Sequence, residues 1–420
     1  MCLYAGIMNE PYIQYRVMMF FKRYRFLKNA LKMRAIIWAT SFIPHNYKNY
    51  SGTGVLTAEG DSDCTETKVI QESEAVSVPR DLYDKTAEFM RRDFYDDSLK
   101  AITIRNKGSI WKIPEGRIYT NRASQFFVLS RDGRIVPSVS YKSEDAAAGL
   151  AEEDIQLNAR FFPKPVKIQG RVASFVLGGG SSHNISHWMA DGLARVKLLE
   201  AFCPLNEIDL FVVQGKGSPN WLETFTLLGI NESKVRFFDQ QLIHIQAEEL
   251  IAMTHPRGRR SAVTPKWVIE FLREKYIPAI PDKSDGWPEK IYISRKDSSL
   301  RGVLNEEELL DYLQLQGYTE LIMSSLSFAE KVGYFYHAKE VVSMSGAGLG
   351  FLALCQPNAR VIELFPSGFV HYVNCVIAEQ VGMDYRYLIF GDTNTDSSGY
   401  SAQREELVVD IQRLSIELAN

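Results

Sequence analysis

Cysteine is scarce in this chain, and its few cysteines lie far apart. Five occur among 420 residues, and no two of them form a Cys-x-x-Cys pair. Zinc ribbons and disulfide frameworks both need closely spaced or numerous cysteines. The sequence therefore predicts reduced core thiols in a cytoplasmic protein, without a structural zinc site.

Long hydrophobic runs and a strong net charge are also missing. No apolar stretch reaches the roughly 20 residues that a membrane-spanning helix needs. Lysines and arginines interrupt the apolar N-terminal pieces, so we expect no signal peptide. The formal net charge of −3 argues against nucleic acid as a partner.

One basic segment, residues 12–43, contains interleaved aromatic residues. Such a segment can rest on an anionic membrane face, which would make the protein peripheral on the inner membrane. It can equally form a helical extension that packs on its own domain or on another protomer. Both interpretations stay open at this point.

The length and the hydrophobic content of 45% predict two domains, each with its own core. We place a basic helical segment and linker at 1–75, a first domain at 76–260, a second at 261–400 and a terminal helix at 401–420. Residues 46–75 are polar and predict a loop. Short strand-like stretches between Ala101 and Val136 are separated by turn signals, and this pattern predicts hairpins.

Near Val172 the pattern of the first domain becomes that of a strand, a turn and a helix. An apolar strand, Ala173–Leu177, precedes a glycine-rich turn at 178–182 and a helical pattern over Asn184–Glu200. His187 and Asp191 are four residues apart and share one face of that helix. Such a pair can supply a general base, or its members can simply bond each other. His183 and His187 could bind zinc together, but no third ligand is evident, so no metal site is predicted.

The second domain alternates strands and helices between Lys290 and Pro366, the layout of a nucleotide-binding α/β unit. A turn of small residues follows one strand and lets backbone amides approach a phosphate. Cations at a strand end suit a diphosphate, and a carboxylate at a strand end can hold ribose hydroxyls. The predicted nucleotide-binding residues are Arg295, Lys296, Arg301, Ser345, Gly346, Ala347, Gly348 and Glu363.

Several of these motifs, in this order, resemble glycosyltransferase family 61 of the capsular-polysaccharide type. The resemblance covers about Ala173 to Phe390. Its motifs are Ser186-His187-Trp188 with Asp191, Lys290–Lys296, Arg301–Glu308, Ser345–Leu349 and Val361–Pro366.

The resemblance implies an α/β protein of two Rossmann-like domains, the GT-B type. It implies inverting, metal-independent transfer of a sugar from a nucleotide donor, with UDP the expected nucleotide and no other cofactor. The acceptor would be a surface polysaccharide or a lipid-linked saccharide of a bacterium. Inversion needs a base for the acceptor hydroxyl, and we assign Asp191, with His187 as the second choice.

The chain departs from the family pattern at Ser345, where the family usually has histidine. A hydroxyl can bond a phosphate but carries no charge, so the departure bears on the donor type. Two alternatives therefore remain: a binding or assembly subunit of this shape without turnover, and a transferase of another group on the same scaffold.

Overall fold

The computed structural model describes residues 63–91, 93–122, 125–142, 164–177, 184–215, 217, 219–238, 243–258, 263–391, 404 and 406–419. These residues form two β-sheets flanked by helices, which confirms the α/β class. The basic segment 12–43, the glycine-rich turn 178–182 and His183 lie outside the described residues, so the expectations for them stay predictions.

The first sheet has ten strands and is mixed. Its strands are β1 Thr65–Ser77, β2 Tyr95–Asp96, β3 Ala101–Pro114, β4 Arg117–Arg122, β5 Gln125–Leu129, β6 Tyr141–Lys142, β7 Val166–Phe175, β8 Leu210–Gln214, β9 Val235–Phe238 and β10 Ile243–Met253. The spatial order is β6-β5-β4-β10-β7-β8-β9, and β3 also pairs with β1, β2 and β10. The antiparallel pairing of β4 with β5 confirms a hairpin in the region where the sequence predicted hairpins.

The second sheet has five strands, and every pair in it is parallel. Its strands are β11 Lys290–Ile293, β12 Thr319–Leu321, β13 Glu340–Met344, β14 Arg360–Pro366 and β15 Asp384–Phe390, in the order β12-β11-β13-β14-β15. The first sheet is partly antiparallel, so two like Rossmann units stay a prediction, as do the proposed domain boundaries.

The helices surround both sheets. The α-helices are α1 Arg80–Lys85, α2 Ile185–His187, α3 Arg195–Glu200, α4 Pro219–Leu227, α5 Lys266–Tyr276, α6 Glu306–Leu315, α7 Phe328–His337, α8 Val373–Val381 and α9 Ile411–Ala419. A π-helical turn, Trp188–Leu193, joins α2 to α3, and a 3₁₀ helix, Ala347–Leu354, follows β13. Shorter 3₁₀ turns are Glu88–Met90, Pro137–Val139, Leu205–Glu207, Glu232–Lys234, Ile277–Ala279 and Met323–Ser325. Across the part of the chain described, no helix is long and apolar enough to span a bilayer.

The expectation of a loop over residues 46–75 is wrong at its C-terminal end. Residues Thr65–Ser77 form a 13-residue strand that pairs antiparallel with β3. The strand is mostly polar because few of its side chains are buried. Backbone pairing to a distant strand stabilises it, and a polar sequence gives little sign of such pairing.

A single buried cluster extends from the first sheet into the helices of the second. It includes Phe175 and Phe225 on one side and Phe271, Phe328 and Phe351 on the other. Phe328 packs on Phe351 with ring centroids 5.4 Å apart, and Glu223 of α4 accepts hydrogen bonds from the first amides of α7. Apolar burial and helix capping therefore hold the two sheets together.

The two parts approach each other closely at Gly350. A Cβ added there would lie 2.8 Å from Ser186 Oγ and 3.1 Å from Ser186 Cα. The 3₁₀ helix 347–354 therefore lies directly against the start of α2. Only a residue without a side chain permits this approach, because a backbone atom cannot rotate away as a side chain can.

Gly350→Ala should force α2 away from the 3₁₀ helix and lower the free energy of unfolding by roughly 1–3 kcal/mol, the range for overpacking. Chemical denaturation measures the change. Gly348→Ala is the matched control, because its nearest atom, Ile293 Cγ2, would lie at an ordinary 3.4 Å. Equal stability of the two variants would show that the Ser186 contact can relax freely.

Candidate functional site

The first cluster of the site lies at the carboxyl edge of the first sheet. β7 and β10 are parallel neighbours, so the segments that follow them leave the sheet at the same edge. The chain after β7 leads to α2, which carries His187, and to the π turn, which carries Asp191. The chain after β10 carries His255 and Arg257. Topology therefore brings together residues about 65 positions apart in sequence.

Local sequence explains how α2 begins. Asn184 is its N-cap, and the Asn184 side chain accepts hydrogen bonds from the amides of Ser186 and His187. Trp188 is fully buried, stacks on Trp221 at 4.7 Å and donates its indole N–H to Thr224. The buried tryptophan anchors the helix, while the neighbouring His187 side chain stays 41% exposed.

Asp191 is buried and bonded on both carboxylate oxygens. Arg257 Nε donates to Oδ1 at 2.6 Å, Arg257 Nη2 contacts Oδ2, and His187 Nδ1 lies 2.9 Å from Oδ2. Burial alone would raise the pKa of the Asp191 carboxyl, but the Arg257 guanidinium outweighs it and holds that pKa well below its usual range. Asp191 is thus a permanent anion within an ion pair.

His187 is the member of this cluster that faces solvent. Its Nδ1 lies near two groups, Asp191 Oδ2 and, at 2.6 Å, Arg257 Nη2. A bond donated to Asp191 leaves Nε2 with a lone pair that can take a proton, whereas a bond accepted from Arg257 leaves Nε2 as a donor. His255 lies 3.4 Å from Asp191 Oδ1, and burial lowers the pKa of His255 to about 3, so it is neutral.

The second cluster lies at the carboxyl edge of the parallel sheet. Adjacent strands β11, β13 and β14 are followed by Arg295, by Ser345 and Gly346, and by His371. Glu306, the first residue of α6, accepts bonds from the Arg295 amide at 2.7 Å and from the Ser294 hydroxyl at 2.9 Å. This carboxylate therefore sets the course of the chain as it leaves β11.

Two guanidinium groups converge on the turn after β13. A Cβ added to Gly346 would lie 2.6 Å from Arg295 Nη1, and Arg301 Nε donates to the Ser345 carbonyl at 2.7 Å. Arg295 Nη2 bonds Ser298 and Leu300, while its buried Nε has no partner among the described residues. Burial lowers the pKa of Arg295, and lowers that of Arg301 to about 10.

Neither guanidinium forms an ion pair with a carboxylate within the described ranges. Arg301 instead lies 5.1 Å above the Phe369 ring, and its backbone has a φ of +54°, which is unusual for a residue with a side chain. Asp297, Glu306 and Glu363 attract these guanidiniums only at longer range. Two nearby cations without a direct ion pair are costly, and an anionic ligand would offset that cost. The first amides of the adjacent 3₁₀ helix, Ala347 and Gly348, have no intrahelical acceptors.

The other predicted donor-binding residues fall in different surroundings. Ala347 and Gly348 are half-buried and open the 3₁₀ helix, as the sequence predicted. Lys296 points elsewhere and pairs with Glu320 at 2.9 Å. Glu363 was expected at the end of its strand, but β14 continues to Pro366 and Glu363 is fully buried. Asn374 and Tyr385 each donate to it at 2.7 Å.

Sequence reasoning missed Arg257 and His371 as members of these clusters. Arg257 was given no role, because the strand before it, β10, was not predicted. His371 was not singled out. Its Nε2 lies 3.0 Å from Ser345 Oγ, at the one position where the sequence departs from the family pattern. Within the described residues, no group of three or more His, Cys, Asp or Glu side chains is arranged to hold a metal ion.

Residues 185–362 match the family model Glycosyltransferase 61. The matched segment begins with α2 and ends in β14, so it contains His187, Asp191, Arg295, Arg301 and the turn at Ser345. It spans less than half of the 420 residues and leaves out Glu363 and His371. The match supports the resemblance to glycosyltransferase family 61 that the motifs carry. It does not bear on the capsular-polysaccharide type. No curated protein matches the chain.

Arg257→Ala should lower the free energy of unfolding by roughly 3–5 kcal/mol, because it leaves the buried Asp191 carboxylate without its counter-ion. Urea denaturation measures this loss. The double variant Arg257→Ala/Asp191→Asn should regain part of it, since a neutral amide needs no counter-ion. Arg80→Ala is the control, because Arg80 pairs with Asp84 on the surface. A loss no larger than that of Arg80→Ala would contradict a structural role for the buried pair.

Proposed function

We propose that this protein is an inverting glycosyltransferase that moves a sugar from a nucleotide-sugar donor to a saccharide hydroxyl. The observation that carries the proposal is the pair of guanidiniums, Arg295 and Arg301, that meet at the Ser345–Gly346 turn without a carboxylate partner among the described residues. The glycosyltransferase 61 match over 185–362 supports it.

In this proposal the diphosphate of the donor lies at the Ser345–Gly346 turn between Arg295 and Arg301, which we call the anion site. Arg295, Arg301 and the amides of Gly346, Ala347 and Gly348 neutralise the charge that builds up as the diphosphate leaves. We leave Lys296 outside the site because Glu320 already pairs with it. Two fixed guanidiniums can supply the charge stabilisation that metal-independent transfer requires.

The acceptor hydroxyl is activated from the α2 side. Its oxygen attacks the anomeric carbon, the bond from that carbon to the diphosphate breaks, and the diphosphate departs with the bonding electrons. We assign the proton to His187 Nε2 rather than to Asp191, because Asp191 is buried and both of its oxygens are bonded. This role requires the tautomer in which Nδ1 donates to Asp191 rather than accepting from Arg257, and Asp191 then orients the ring.

The close packing of α2 on the 3₁₀ helix supports a single shared site. Ser186 precedes His187, and Gly350 lies in the helix that begins at Ala347. One rigid contact thus links the element that carries the base to the element that binds the diphosphate. A surface polysaccharide or lipid-linked acceptor, a UDP-linked donor and a cytoplasmic location, with residues 12–43 resting on the membrane, complete the proposal.

Arg295→Ala should abolish nucleotide binding, because it removes one of two cations from the diphosphate site. The measurement is the rise in thermal midpoint with UDP, GDP, CDP and dTDP, since a ligand that binds only the folded state raises that midpoint. Lys296→Ala removes an equal charge from the next residue and should leave the rise unchanged. If none of these nucleotides raises the thermal midpoint of the native protein, a binding or assembly subunit becomes the better explanation.

His187→Gln should lower turnover by roughly a hundred- to ten-thousand-fold, the usual contribution of a general base, while nucleotide affinity stays the same. Turnover is measured as the release of nucleoside diphosphate. The substrate is the nucleotide sugar whose nucleotide raises the thermal midpoint. Asp191→Asn should also reduce turnover, but its lower stability must be measured beside it. Full turnover in His187→Gln would place the base elsewhere.

A further inference from the structure

A buried network of polar side chains lies next to the anion site. Glu363, Ser345 and His371 are all at least nine-tenths buried. Glu363 accepts hydrogen bonds from Asn374, Tyr385 and the Ser345 hydroxyl. Ser345 Oγ in turn lies 3.0 Å from His371 Nε2. Three strands and the segments after them therefore contribute to one continuous network.

The hydrogen-bond donors in this network determine which nitrogen of His371 carries the proton. A carboxylate can only accept, so the Ser345 hydroxyl donates its hydrogen to Glu363. Ser345 Oγ must then accept from His371, which places the hydrogen on Nε2. Burial, reinforced by Arg301, lowers the pKa of His371 to about 3, so the ring is neutral. Nδ1 is consequently a bare acceptor.

This acceptor has no partner in the described part of the chain. His371 Nδ1 is buried and unbonded, and the ring is held edge-on between Phe365 and Phe369, with centroids 5.3 and 5.4 Å away. Unpaired buried polar atoms are costly and uncommon in folded proteins. The fixed ring therefore carries a lone pair for which the described residues supply no hydrogen-bond donor.

We propose that His371 Nδ1 accepts a hydrogen bond from a ribose hydroxyl of the nucleotide donor. The inference rests on the proposed function, because it places a diphosphate at Arg295 and Arg301. His371 contacts Ser345, the residue just before the phosphate turn, and Arg301 lies over Phe369, which packs on the His371 ring. In a nucleoside diphosphate the hydroxyl-bearing group directly next to the phosphates is the ribose.

The same reasoning changes the predicted role of Glu363. Sequence reasoning assigned it to ribose hydroxyls directly, yet its side chain is fully buried among Asn374, Tyr385 and Ser345. Glu363 would act through Ser345 as a positioning residue that holds the His371 tautomer. Burial raises the pKa of Glu363 to about 7, so the test is best made at pH 8.5, where the carboxylate is ionised.

Two substitutions separate the two ring nitrogens. His371→Gln places an amide near Nε2, where it can still bond Ser345, and removes the acceptor at Nδ1. His371→Asn places an amide near Nδ1 and gives up the Ser345 bond. Calorimetry at pH 8.5 compares the tightest-binding of UDP, GDP, CDP and ADP with its 2′-deoxy and 3′-deoxy analogues and with inorganic pyrophosphate.

We expect the native protein to prefer the ribonucleotide over at least one deoxy analogue by about 3- to 10-fold, the value of one neutral hydrogen bond. His371→Gln should lose this preference, and His371→Asn should keep most of it. Pyrophosphate affinity should be the same in all three proteins, which also shows that the variants are folded.

The outcomes distinguish the two proposals. An unchanged ribose preference in His371→Gln overturns the role of His371 and leaves the diphosphate site intact. The absence of any preference in the native protein overturns it equally. If neither pyrophosphate nor any nucleotide binds, or if Arg295→Ala binds them as well as the native protein does, the diphosphate site itself is overturned.

Discussion

The approach of Ser186 to Gly350 is the constraint on which the site depends. It joins an element that follows the mixed sheet to an element that follows the parallel sheet. Each sheet gathers side chains only at its own carboxyl edge, so neither could form the whole site. The contact, supported by the aromatic cluster between the sheets, brings one element from each edge together, as a shared site requires. A backbone contact transmits displacement directly, because it cannot be absorbed by a change of rotamer.

The two edges differ in how their charges are balanced. Asp191 and Arg257 compensate each other inside the protein, so that pair can organise His187 without any ligand. Arg295 and Arg301 form no ion pair with a carboxylate among the described residues, so their charge remains available to an anion. Buried ion pairs contribute more to geometry than to net stability, whereas uncompensated cations favour binding. The same residue type therefore forms a buried ion pair at one edge and forms no ion pair at the other.

The departure from the family pattern at Ser345 has a different meaning in three dimensions. Taken as sequence, it replaces an imidazole with a hydroxyl beside the phosphate turn. In the folded protein the imidazole of His371 contacts that hydroxyl from the end of the next strand. Ser345 thus becomes the link between a buried carboxylate and a buried ring, which no property of position 345 alone could indicate. The hydroxyl suits this role because it can donate to one neighbour and accept from the other.

The sequence by itself determined much of the local structure: the α/β class, the strands before the two clusters apart from β10, the small-residue turn at Gly346 and the shared face of His187 and Asp191. These features depend on periodicity, turn chemistry and spacing within about ten residues. Only the tertiary structure decided the partners. It placed Arg257 on Asp191, His371 on Ser345 and Ser186 on Gly350, and it paired the polar strand Thr65–Ser77 with β3. Such contacts depend on strand order and on which strand ends share an edge, and local sequence does not encode that order because distant strands compete for the same backbone hydrogen bonds.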